Sequence, residues 1–288
     1  MIFDRLFVMK LFKKFLQWIV SSQLLISIGA GLYYLTGCLL LQAQFTFPLS
    51  RFLVILGGTW LTYATFRGIL NIHNRKTLTI ALYLVYAMFL IYYIPFLEII
   101  FLLHLAILSF LYEPSSFNIK IFSLRKVPLL KLIILSYIWA SLSSFYPAIT
   151  LDVNIFQRSV SNLFWIQFTF ILSITIPFDI RDFYLDLKEN LITMPRIFGF
   201  KVSKYIALTF LVINTILIVN WHDKHYENII ISFLAAILIW HSDRKRSNLY
   251  FGLWIDGLLV LNFIFVYIHY HHDILFLDDL NLILFKYL

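Results

Sequence analysis

Long apolar runs separated by short polar, mostly basic segments recur along the chain. A helix needs about 20 apolar residues to cross the hydrocarbon core of a bilayer. Runs approaching that length lie at Trp18–Leu41, Phe52–Phe66, Leu78–Ile94, Phe96–Tyr112, Val127–Pro147, Val160–Pro177, Tyr205–Trp221, Ile229–Trp240 and Leu249–Tyr270, two of them short for a full span. The pattern predicts an all-α, polytopic membrane protein with about nine transmembrane helices and one transmembrane domain over residues 1–288. The segment before the first run sets Arg5, Lys10, Lys13 and Lys14 among Phe and Leu, as a signal-like or amphipathic n-region does. Trp18–Leu41 is longer than a signal core and lacks a small-residue cleavage pattern, so it reads as a retained first span.

Charge tests this count. With a cytoplasmic N-terminus, the inside segments hold Arg5, Lys10, Lys13 and Lys14; Arg67, Arg75 and Lys76; Lys120, Arg125, Lys126 and Lys131; Arg181, Lys188, Arg196, Lys201 and Lys204; and Arg244, Lys245 and Arg246. Of the 23 Lys and Arg residues, Arg51, Arg158, Lys224 and Lys286 fall outside. That asymmetry follows the positive-inside rule and places the C-terminus on the opposite side. The net charge of +8 therefore records topology, and nucleic acid is not an expected partner. Composition agrees: 61% of the residues are hydrophobic and 13% charged, with a mean hydropathy of +0.85, so the lipid bilayer is the expected surrounding. The one cysteine, Cys38, lies in an apolar run, which leaves no disulfide framework or thiolate metal cluster. The longest connections fall on the inside face, where chemistry is expected.

Acidic residues are scarce, yet Asp179, Asp182, Asp186 and Glu189 crowd into one short stretch, I-P-F-D-I-R-D-F-Y-L-D-L-K-E-N-L-I-T-M-P-R-I-F-G. On a helix the three aspartates, at i, i+3 and i+7, share one face about two turns long. Such a face needs a counter-charge, from water or a cation, and oxygen-only ligands suit Mg²⁺.

The stretch resembles the second aspartate motif of the UbiA superfamily of intramembrane prenyltransferases, in which a D-x-x-x-D pair, often preceded by D-I-R, is followed by T-L-P and a glycine. The matching residues are Asp179, Ile180, Arg181, Asp182, Asp186, Thr193, Pro195 and Gly199, with Asn190 where glycine is common and Met194 for leucine. The resemblance implies a nine-helix UbiA-like bundle with the motif at the cytoplasmic end of its sixth span. It also implies Mg²⁺ held by Asp179, Asp182 and Asp186, with Asp182 and Asp186 central to catalysis, an isoprenyl diphosphate substrate, and an apolar or aromatic acceptor in the membrane. A leaving diphosphate develops negative charge that metal ions and cationic side chains neutralise.

The family's first motif, N-D-x-x-D-x-x-x-D, would fall at the end of the second span. This chain reads T-F-R-G-I-L-N-I-H-N-R-K there, with Arg67, Gly68, Asn71 and Arg75 at the motif positions, and no acidic residue lies between Asp4 and Glu98. Three roles fit Arg67, Arg75 and Lys76: contacts to diphosphate, salt bridges to the aspartates in a charge-neutral cap, or plain topology determinants. Arg125 and Lys131 in L-R-K-V-P-L-L-K resemble the family's basic approach to its fifth helix, and with Arg67, Asn71, Arg75 and Arg181 they form the expected diphosphate set. Snorkelling of Lys131 to the interface is the alternative. Glu98 and His104 lie in the fourth span, Glu98 close enough to the outer end for an interfacial placement. His269, His271, His272 and Asp273 lack a supporting metal motif.

The expected function is thus prenyl transfer from an isoprenyl diphosphate. The alternative is a non-catalytic UbiA-fold protein, lipid-binding or scaffolding, that has lost the first metal motif. A transporter would need more polar residues deep in its spans.

Overall fold

A computed structural model describes residues 2–41, 47–70, 76–117, 122–221 and 226–271. These residues are mostly helical, with no strand among them. The helices are α1 (Ile2–Ser21), α2 (Leu24–Leu41), α3 (Leu49–Phe66), α4 (Lys76–Tyr93), α5 (Phe96–Tyr112), α6 (Leu130–Ser143), α7 (Phe145–Thr150), α8 (Arg158–Lys188), α9 (Met194–Val219) and α10 (Glu227–His241). The last, α11 (Tyr250–His271), opens with a π-helical stretch over Tyr250–Ile255.

Among the described residues, five segments are long and apolar enough to cross a membrane: Leu24–Leu41, Leu130–Thr150, Arg158–Lys188, Met194–Val219 and Tyr250–His271. The chain is accordingly a multi-pass membrane protein. Helices α5 and α10 are apolar but shorter. In lipid every backbone polar group must find its partner internally, which is why apolar runs of this length fold as helices.

Helix α8 runs through the middle of the bundle. Its most apolar window is 78% buried, against 28% for α9 and 39% for α11, whose outer faces are left for lipid. The sequence expectation ended this span at Pro177, but the helix continues to Lys188. Pro177 removes one intrahelical hydrogen bond, yet Ile176 and Pro177 are both buried. The continuation carries all three aspartates on helix. Helix α9 likewise starts earlier than expected, with Pro195 in its first turn, where a missing N–H is harmless. Gly199 (φ 78°, ψ 166°) then bends the chain, so Met194–Phe198 forms a separate arm. Helices α2 and α6 cross closely at Gly37, where a Cβ would run into the Ser143 carbonyl oxygen.

The core is rich in tyrosine. Tyr33, Tyr34 and Tyr146 are fully buried among Ala30, Leu35, Leu132, Phe170 and Ile176. Buried tyrosines need partners for their hydroxyls: Tyr33 donates to Gln167, Tyr34 to Thr150 and Tyr146 to Glu98.

Candidate functional site

The ends of α5 and α8, the short 3₁₀ turn Leu124–Lys126 and the start of α6 meet at one end of the bundle. There the i, i+3, i+7 spacing places Asp179 and Asp186 on the α8 face that packs toward α6, and both are about 1% exposed. Lys131, in the first turn of α6, reaches across. Its Nζ lies 2.6 Å from Asp179 Oδ1 and 3.7 Å from Asp186 Oδ2. The lysine is thus not snorkelling to an interface; its side chain is 12% exposed and spent on two carboxylates.

Arg125 fans out over the same face. One guanidinium nitrogen lies 2.8 Å from Glu113 Oε2 and 3.1 Å from Glu189 Oε2, and the other is 3.3 Å from Asp186 Oδ1. Burial works to lower the Arg125 pKa, but the hydrogen bond to Glu113 and the nearby charge of Glu189 outweigh it, and the pKa stands above its ordinary value. A planar fork of five donors suits this multiple pairing as an ammonium would not.

Asp182 has a different partner. Arg181, its neighbour in sequence, donates from Nε and a terminal nitrogen to the two Asp182 oxygens, each at 2.7 Å. The same guanidinium sits 4.9 Å from the ring centre of Phe178 and 5.4 Å from that of Phe251. Arg67 is exposed at the end of α3, within electrostatic reach of Asp182 and of Asp256 on α11. Asn71 and Arg75, expected to contact diphosphate, lie outside the described residues, as do His272 and Asp273.

The structure therefore joins Asp179, Asp186, Lys131 and Arg125 in one network and adds Glu113 and Glu189. Four carboxylates share two cations, so the network carries a formal charge of −2. It is also incompletely hydrogen-bonded: Asp179 Oδ2, Asp186 Oδ2 and Arg125 Nε are buried without a hydrogen-bond partner. Buried polar atoms are nearly always satisfied, so a cluster of exceptions calls for an explanation. Beside the network lies a cleft of about 410 Å³, lined by Glu113, Ser115, Ser123, Arg125, Lys126 and Glu189 among others. Among the described residues no three His, Cys, Asp or Glu side chains converge closely enough to hold a metal ion by themselves.

Glu113 was missed in sequence. Its signal was positional: an acidic residue directly after an apolar run, twelve positions before the arginine it binds. Glu98 was expected near the outer interface. It sits at the end of the bundle opposite the aspartates, 4% exposed and enclosed by Arg51 and Tyr146. His104 is exposed, with Nε2 at 3.5 Å from the Tyr137 hydroxyl.

No protein-family model matches this chain, and no curated protein matches it in sequence.

Proposed function

We propose that this chain is a UbiA-like membrane protein of about nine spans, with a cytoplasmic N-terminus. It binds an isoprenyl diphosphate at the acidic end of the bundle and transfers the isoprenyl group to an apolar or aromatic acceptor in the bilayer. The observation that supports this reading is the pair of buried oxygens of Asp179 and Asp186 that have no hydrogen-bond partner, within a network of charge −2. One divalent cation would neutralise that charge. Mg²⁺ is characteristically held by one or two carboxylates, with water and phosphate oxygens filling its shell, so the donor set fits it without a third carboxylate.

Asp179 and Asp186 would hold Mg²⁺, which would stabilise the charge of the departing diphosphate. Asp182 would join them only on release from Arg181. Arg125 and Lys131, with Arg67 and Arg181 beside them, supply cations for diphosphate oxygens. In the reaction the allylic C–O bond breaks, its electron pair leaves with diphosphate, an acceptor carbon bonds to the isoprenyl carbon, and the acceptor gives up a proton. An apolar bundle shields the cation from water.

A second reading rests on the ion pairs themselves. Lys131 occupies the place between Asp179 and Asp186, as a resident counter-ion of a binding-only descendant of the fold would. Diphosphate release separates the two. Purified protein in lipid nanodiscs, given farnesyl diphosphate, Mg²⁺ and a membrane extract as acceptor source, should liberate diphosphate, and Asp186→Asn should abolish this. Farnesyl diphosphate binding without any release would establish the second reading; absence of both binding and release would remove both.

A further inference from the structure

At the same end of the bundle, a second polar surface faces outward, where α9 and α10 meet the loop leading to α11. Lys204 on α9 and Arg244 and Lys245 in the loop gather there around the Asp243 carboxylate, with Arg246 in the same turn and Lys201 one helical turn before Lys204. The Lys245 backbone N–H donates to Asp243 Oδ1 at 3.0 Å and holds that carboxyl below its usual range, so the acid serves the loop's own turn. All of these residues are exposed except Lys204, which is half-buried.

Aromatic side chains interleave with the cations. Trp240 is 54% and Tyr205 45% exposed, and their rings lie 6.2 Å apart. Lys201 stands 5.9 Å from the centre of the Tyr205 ring, and Lys204 Nζ donates to the Trp240 carbonyl oxygen at 3.0 Å. Arg244 is stacked 4.4 Å from the Phe200 ring centre and donates to the Tyr184 hydroxyl at 2.9 Å. Just before the Gly199 bend, the α9 arm exposes Ile197, Phe198 and Arg196.

Exposed apolar side chains at this level of a membrane protein lie against acyl chains, Trp and Tyr sit at headgroup depth, and clustered Lys and Arg there attract anionic lipid. Topology alone would require only that positive charge fall on this side. It would not require the cations to be held over aromatic rings or fixed to backbone carbonyls, an arrangement that aims charge at one place. We propose that the α9–α10 corner is a docking surface for anionic phospholipid headgroups of the adjoining leaflet. Lys201, Lys204, Lys245 and Arg246 contact the phosphate, Trp240 and Tyr205 lie beside it at headgroup depth, and Ile197 and Phe198 of the α9 arm lie along the acyl chains. Arg244, locked between Phe200 and Tyr184, shapes the surface and adds to its field.

The test uses the full chain in detergent. Its thermal midpoint is followed on adding phosphatidylglycerol, phosphatidylcholine or inorganic phosphate, for the wild type and for Lys201→Glu plus Lys245→Glu, which set two carboxylates among the remaining cations. Phosphatidylglycerol should raise the wild-type midpoint by several degrees, with the other two additions inert and the variant unresponsive. Equal shifts from both lipids, or a variant that responds as the wild type does, would overturn the proposal, and so would a shift produced by inorganic phosphate alone. Should the variant fail to fold, brominated lipids decide with the wild type. Tryptophan emission lost on Trp240→Phe should be quenched more strongly by brominated phosphatidylglycerol than by brominated phosphatidylcholine, and equal quenching refutes the docking surface.

Discussion

Both ends of the bundle bury carboxylates, and they neutralise them differently. At one end Glu98 on α5 meets a single guanidinium, Arg51 on α3. Nε donates to both carboxylate oxygens at 3.2 and 3.0 Å, the terminal nitrogen donates to Oε1 at 2.7 Å, and the Tyr146 hydroxyl donates to Oε2 at 3.0 Å. One negative charge faces one positive charge, and both oxygens are used. At the other end four carboxylates share Lys131 and Arg125, and two buried carboxylate oxygens have no hydrogen-bond partner. A closed polar cluster fixes the helices that contribute to it. An open one is a weaker fastening and a better receptor, because a cation or a polyanion with its cation can complete it. The difference supports the proposal that the Asp179–Asp186 end is the working end, with the Glu98 end as a clamp.

The comparison can be broken from the acidic side first. Lys131→Met should have the largest effect, since it leaves Asp179 and Asp186 buried without their shared cation; losing one partner of a buried pair costs about 3–5 kcal/mol. The loss should appear as a large drop in the unfolding midpoint in detergent, partly restored by adding Asp179→Asn. No drop would mean that the two carboxylates do not depend on Lys131.

At the clamp, Glu98→Ala strands a half-buried guanidinium and the Tyr146 hydroxyl. Hydrogen bonds to charged groups contribute about 1.5–3 kcal/mol, so the same assay should show a smaller drop. Isoprenyl diphosphate binding should stay at the wild-type level, and a lost affinity would show that the two ends are coupled. Tyr146→Phe removes one hydrogen bond and keeps the ring that lies parallel to Phe101. Its expected loss is about 1.5 kcal/mol, the low end of that range because Arg51 still holds the carboxylate, again without change in binding.

The smallest expected stability effect belongs to Arg181→Lys. It keeps the charge but gives up the two-pronged contact with Asp182 and the planar stack on Phe178 and Phe251. Should Asp182 serve the ligand once freed, Mg²⁺-dependent binding would tighten; unchanged binding would leave Asp182 as a structural partner of Arg181.

Much of this was legible in the chain. Apolar run length placed the helices because lipid permits little else, and the i, i+3, i+7 spacing placed the aspartates on one face. What the sequence could not show was pairing. Lys131 and Arg125 read as diphosphate ligands because they are basic and precede a span. Only packing of α6 on α8 reveals that they already hold carboxylates. Arg51 read as one of four departures from the charge rule, but its guanidinium is committed to Glu98, so it offers little free charge on that side. Ends of apolar runs also misplace ends of helices: α8 carries charged residues for about three further turns past Pro177 because that extension packs against the approach to α6.

The most direct measurement is calorimetric titration of farnesyl diphosphate into the purified protein, with and without Mg²⁺, repeated for Asp179→Asn plus Asp186→Asn. The account predicts binding that requires Mg²⁺ in the wild type and is lost in the double variant. Binding that ignores Mg²⁺ and survives in the double variant would contradict it, leaving the acidic end as a second clamp.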